Sequence, residues 1–92
     1  MKKLTDKKLL DNEWIIKKIQ DENAYQLQKH GLQSRLPFEW LTYTTEELGE
    51  LAQAITDYEY GWSDNKESIV EEAVQVATLA LKIAEMYEKS EN

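Results

Sequence analysis

The placement of chain breakers constrains this sequence more than any other feature. Ninety-two residues contain one proline and three glycines, and the two strongest breaks, Gly31 and Gly61, cut the chain into near-equal thirds. So few breakers argue for a few long helices. The first is expected from Thr5 or Asp6 to about His30. Leu9, Ile16, Ile19 and Leu27 keep helical spacing, and Asn12 and Asn23 fall in the same stripe. Gly31 suits the left-handed residue after a helix end, and Gly31 to Leu36 reads as a short loop. Pro37 suits the first position of a second helix, where its missing N–H costs nothing. That helix is expected to reach about Tyr58, with Leu41, Leu48, Leu51, Ala52 and Ile55 marking its core face. Its Thr42, Thr44 and Thr45 are weak helix formers, so tertiary packing is expected to hold them.

After a turn at Glu59–Asp64, Asp64 is the expected cap of a third helix, with Glu67 completing a capping-box-like pair. This helix should run to about Lys89. Its middle, Ala73 to Ala84, is apolar nearly all round except for Gln75, Thr78 and Lys82. A helix apolar all round is buried on several sides. Val70, Val74, Ala77, Leu81 and Ile83 cannot all face one small core, so the excess reads as an oligomer interface. The expected architecture is one all-α domain, residues 1–92, whose three long helices form helical bundles through self-association as a dimer or tetramer.

Composition excludes several classes. No cysteine is present, so neither a disulfide framework nor a zinc–thiolate site can form, and a reducing cytoplasm fits. No apolar run approaches the roughly 20 residues that span a bilayer. The basic start, Met1 to Lys8, lacks the apolar stretch of a signal peptide and reads as a solvated, frayed end. A net charge of −7 disfavours nucleic acid as a partner, which needs clustered Lys and Arg. An acidic protein that handles phosphates needs a cation to screen the repulsion.

The second and third segments carry acids suited to holding one. Glu47 and Glu50 lie three apart, as do Glu72 and Gln75, so each pair occupies one helix face about a turn apart. Folding the chain back near residue 61 or 62 sets Glu50 opposite Ala73 and Glu47 opposite Val76. Glu72 and Gln75 then stand at the height of Glu47 and Glu50. Magnesium takes oxygen ligands and binds through carboxylates plus substrate phosphates; manganese has the same taste. Clustered carboxylates raise one another's pKa values, and a divalent ion reverses this.

Glu46-Glu47-x-x-Glu50, then 21 residues, then Glu72-x-x-Gln75 resembles the signature of the MazG-like all-α nucleotide pyrophosphohydrolases, Glu-Glu-x-x-Glu, a spacer, then Glu-x-x-Asp. The resemblance covers Leu41 to about Ala84. It implies a helical, oligomeric, magnesium-dependent enzyme that cleaves a nucleoside triphosphate to monophosphate and pyrophosphate. It assigns metal binding to Glu47, Glu50 and Glu72, and sets Glu46 beside them, supporting or orienting water. Gln75 stands where the family has Asp. Its amide oxygen can still ligate, but one negative charge is missing. Either the metal binds more weakly, or a single ion binds well, or the activity is altered or lost. A faint repeat, Glu46-Glu47-x-x-Glu50-Leu-Ala against Glu71-Glu72-x-x-Gln75-Val-Ala, reflects shared needs of the site.

Other residues share these faces. Trp40 and Tyr43 precede Glu47 by seven and four residues and can stack on a nucleobase or belong to the core. Lys82, two turns past Gln75, can meet a phosphate or snorkel to solvent. Asn23 can read a base edge or be a satisfied buried amide. His30 suits a partner of the first helix's C-terminal dipole. With one His and no Cys, nothing suggests a nucleophile triad. The expected function is therefore magnesium-dependent hydrolysis of a nucleoside triphosphate or related nucleotide. A non-catalytic oligomer that binds nucleotide or a protein partner is the alternative, and a purely structural bundle with solvated acids is a third reading.

Overall fold

The computed structural model describes residues 3–4 and 12–89. Among these, the chain forms three helices and no strand: α1 (Glu13–His30), α2 (Pro37–Glu59) and α3 (Lys66–Glu88). The expected starts of α1 at Thr5 or Asp6, its Leu9, and most of the basic N-terminal run lie outside the described residues. Asn12 is extended (φ −107°, ψ 129°), so the helix that ends at His30 begins at Glu13, later than the apolar spacing suggested.

The helix ends follow local chemistry. Gly31 has φ 70° and ψ −170°, and its N–H bonds Leu27 O at 2.8 Å. The positive φ is as expected, but the ψ takes it from the left-handed helical region to one essentially reserved for glycine. Pro37 opens α2, and Glu39 reaches back to accept from the Leu36 N–H at 2.8 Å. This is half a capping box, since leucine has no oxygen for the other half. Gly61 (φ 79°) ends α2 in a Schellman turn: Trp62 N–H bonds Asp57 O and Gly61 N–H bonds Tyr58 O. Tyr60 and Trp62 stack outside it, ring centroids 5.2 Å apart. The cap of α3 is Asn65, whose side-chain oxygen accepts from Ser68 N–H at 3.2 Å. Asp64, the expected cap, sits one residue too early.

Packing half-buries Thr44, but Thr42 and Thr45 are exposed, so tertiary packing does not hold them as expected. Thr42, Thr44, Thr45 and Thr56 each donate a hydroxyl to the carbonyl four residues back. The helix therefore supplies its own acceptors for these poor helix formers.

α3 packs against both α1 and α2, while α1 and α2 do not pack on each other. The seams repeat every three to four residues, as in coiled coils. On α2 the covered positions are Trp40, Thr44, Glu47, Leu51, Ala54 and Tyr58; on α1 they are Ile15, Ile19, Glu22, Asn23 and Gln26. This corrects the expected core face of α2. Leu41, Leu48 and Ile55 are 51%, 53% and 42% exposed, Ala52 is exposed too, and Leu51 alone of that set is half-buried. The stripe lies one residue, about 100°, around the helix from the seam. Ile16 and Leu27 of α1 are likewise exposed beside the seam that Ile19 joins. On α3, Val74 and Leu79 are buried, whereas Ala73, Ala80, Leu81 and Ala84 face outward. Thr78, 2% exposed, is satisfied by donating to Val74 O. With Trp40, Val74 and Leu79 as its buried apolar residues among those described, the core of one chain is thin.

Candidate functional site

The site follows from a carboxylate on the α2 seam. Glu47 sits between Thr44 and Leu51 at positions that α3 covers. One turn on, Glu50 reaches the same groove from its exposed rim, and Glu72 meets both from the first half of α3. Glu47, Glu50 and Glu72 each offer an oxygen, all within 4.8 Å of one another. Glu46 is exposed and lies outside this trio.

Gln75 completes the groove in an unexpected sense. Its amide nitrogen faces the acids, as the surrounding acceptors require, donating to Glu47 Oε2 at 2.6 Å and Glu72 Oε2 at 3.0 Å. In this arrangement Gln75 is a donor that clamps two carboxylates. To ligate an ion, as the spacing suggested, it must turn its amide over.

Burial pushes the Glu47 carboxyl up to about 7, and the neighbouring Glu72 and Glu50 add to the rise. Burial also raises Glu72, against the opposing effect of the hydrogen bond it shares with Glu47. Both shifts favour the protonated form of these carboxyls over the free carboxylates. The donor set is all oxygen, hard and anionic, and could hold a divalent cation.

Beside the acids opens a cavity of about 260 Å³, lined by Glu47 and Gln75 and by Tyr43, Arg35 and Lys29. Trp40 also lines it but is 7% exposed, and the Lys82 ammonium lies 5.6 Å over its ring. The expected base-stacking role of Trp40 is therefore hard to sustain, because its ring is spent on the core. Tyr43 is partly exposed, with the Arg35 guanidinium 4.9 Å over its ring. Asn23 is half-buried and lines a second cavity that shares Gln26, Arg35 and Trp40 with the first. Lys82 does not snorkel free. It donates to Gln26 Oε1, while Gln26 Nε2 donates to Glu22 Oε2 at 2.7 Å. Desolvation lowers the Lys82 pKa, and the charge of Glu22 works against that.

Sequence reasoning missed Arg35, Lys29 and Gln26. Two signals were present: Arg35 is the only arginine beside ten lysines, and Gln26 lies three residues past Asn23. Among the described residues, no helix is long and apolar enough to cross a membrane. Compared with known proteins, the chain matches no family model, no curated protein and no solved structure.

Proposed function

We propose that the chain is a magnesium- or manganese-dependent hydrolase that cleaves a nucleoside triphosphate, or a related nucleotide, to monophosphate and pyrophosphate. The observation that carries this reading is the convergence of Glu47, Glu50 and Glu72 within 4.8 Å across two helices. The resemblance of their spacing to the MazG-like signature names the substrate class. These three carboxylates would hold the ion, which when bound screens phosphate charge and lowers the pKa of water. Held ionised by the ion, Glu47 would accept a proton from an attacking water, and Glu46 beside it on α2 would support or orient that water. The water oxygen bonds the α-phosphorus, the bond from that phosphorus to the α–β bridging oxygen breaks, and pyrophosphate leaves with the electron pair. A cytoplasmic setting suits this chemistry.

The proposal includes self-association. Leu41, Leu48 and Ile55 on α2 and Ala73, Ala80, Leu81 and Ala84 on α3 are exposed apolar positions of the hairpin. A two-fold interface uses the same patch of both copies, so one such patch would suffice to cover itself. A dimer or tetramer would cover what the thin core of one chain leaves open.

A second reading is favoured by Gln75, whose amide satisfies Glu47 and Glu72 without any ion. Under it the protein is a non-catalytic oligomer that binds nucleotide or a protein partner. A screen for pyrophosphate release over ribo- and deoxyribonucleoside triphosphates, with and without magnesium or manganese, separates the two. Hydrolysis requires metal-dependent release that Glu50→Gln and Glu72→Gln each abolish. A folded protein that releases none with either metal belongs to the second reading.

A further inference from the structure

We propose that Arg35, with Lys29 on the same cavity, forms an anion subsite that takes the terminal phosphate of a polyphosphate chain whose inner phosphates lie at the acid cluster. The proposal rests on the reading of that cluster as a metal site and extends it to the length of the phosphate chain.

Several observations converge here. A chain with ten lysines places its single arginine on this cavity. Arginine differs from lysine in its planar fork, which matches phosphate oxygens two at a time. The Arg35 Nε–H is buried and has no hydrogen-bond partner. Such a buried donor is rare enough in proteins to require an explanation. Among the described residues the ion pairs are Lys17–Asp21 and Lys89–Glu85, so Arg35, Lys29 and Lys82 pair with no carboxylate. That is unusual where acids outnumber bases 18 to 11.

Each of the three cations is instead held over a ring: Arg35 on Tyr43 at 4.9 Å, Lys82 on Trp40 at 5.6 Å, Lys29 on Tyr25 at 5.8 Å. A ring face orients a cation while leaving its donors unspent; this holds for Arg35 Nε–H, whereas Lys82 also donates to Gln26 Oε1. Tyr43 lies four residues, about 6 Å of helix, from Glu47. That separation suits the next units of one phosphate chain. The cavity lined by Arg35 and Lys29 also reaches Glu47 and Gln75, so no wall divides these two cations from the acids; Lys82 lies on the neighbouring cavity that shares Arg35.

A consequence follows for the base. Tyr43 and Trp40 already carry cations on their rings, so they position charge rather than stack on a nucleobase. The nucleoside end of the ligand then leaves the cluster on the side away from Arg35. The subsite makes the protein selective for triphosphates over diphosphates.

The test is calorimetric titration of inorganic tripolyphosphate and of pyrophosphate, both with magnesium, into the wild-type protein, Arg35→Ala and Arg35→Lys. The wild type should bind tripolyphosphate about tenfold tighter than pyrophosphate, the worth of one charge-assisted contact pair. Both variants should lose most of that margin while their pyrophosphate affinity stays put. Arg35→Lys keeps the charge and guards against a loop that loosens in the alanine variant. A margin unchanged in both variants overturns the subsite, as does a wild type that binds the two equally. The outcome is separable from the hydrolase reading. Arg35-dependent tripolyphosphate binding without nucleotide turnover sinks the hydrolase and leaves the subsite. Turnover whose KM for triphosphate is unmoved in either variant does the reverse.

Discussion

Gln75→Asp exposes the logic of the acid groove. In the metal-free protein Gln75 donates to Glu47 at 2.6 Å and to Glu72 at 3.0 Å. The substitution removes both bonds, each worth about 1.5–3 kcal/mol to a charged acceptor when buried and less in this half-buried groove. It also adds a carboxylate about 4 Å from others, a repulsion of about 1–4 kcal/mol between the limits of water and a protein surface. The raised pKa of Glu47 caps the penalty, because taking up a proton relieves the added repulsion. A net loss of about 2 kcal/mol is expected, or about 10 °C in melting temperature for a domain of this size. Magnesium reverses the sign. A fourth hard ligand replaces a competing donor, so affinity should rise about tenfold or more. Saturating the variant to 100 times its dissociation constant restores about 2.7 kcal/mol. Melting curves at one fixed protein concentration, with and without magnesium, read the first half; calorimetric titration reads the second. Unchanged magnesium affinity would place Gln75 outside the ion's ligands and move the non-catalytic reading ahead.

The remaining predictions concern pH, the helix interior and assembly. Glu47 has a folded pKa of about 7 against the ordinary 4.5, so the folded state binds its proton more tightly. Its stabilisation is fully present below 4.5 and is lost as pH rises through 7. After solvent screening this amounts to about 1 kcal/mol, which melting curves from pH 5 to 8 should show and Glu47→Gln should remove; an identical slope in that variant would assign the effect elsewhere. Gly49 lies inside α2 with open space where a Cβ would go, so Gly49→Ala should stabilise the chain by about 0.5–1 kcal/mol in denaturant titration. A loss would mean that the position is crowded by a second copy. Leu48→Lys should convert the assembly to smaller species in sedimentation at micromolar concentration; a wild type sedimenting solely at 10.8 kDa would refute self-association.

The three-helix plan was legible because it rests on local chemistry. Pro37, Gly31 and Gly61 punctuate the chain within a residue or two of the observed ends, and glycine's access to positive φ explains both helix stops. Asn65 displaced Asp64 as the cap because either residue type can accept from a helix N–H, and spacing alone does not choose between neighbours. The convergence of the acids could be anticipated from the hairpin turn, which fixes the relative heights of α2 and α3. The sense of Gln75 could not, because an amide offers a donor and an acceptor, and the acids around it decide which one faces them.

The misassigned core face is the most instructive departure. Reading large apolar residues as core selects Leu41, Leu48 and Ile55, yet α3 covers Trp40, Thr44, Glu47 and Leu51 instead. The intramolecular seam of α2 is partly polar because it carries the carboxylate that the groove needs. Placing Glu47 there forces desolvation, and desolvation raises its pKa. It also leaves the better hydrophobic stripe outside, where one chain cannot bury it. The polar site and the uncovered apolar face are thus two results of a single helix rotation of about 100°. Rotating α2 to bury Leu48 would take Glu47 out of reach of Glu72. A chain that keeps its acids together therefore leaves Leu48 outside, and the proposed self-association would tie the cover of Leu48 to the integrity of the acid site.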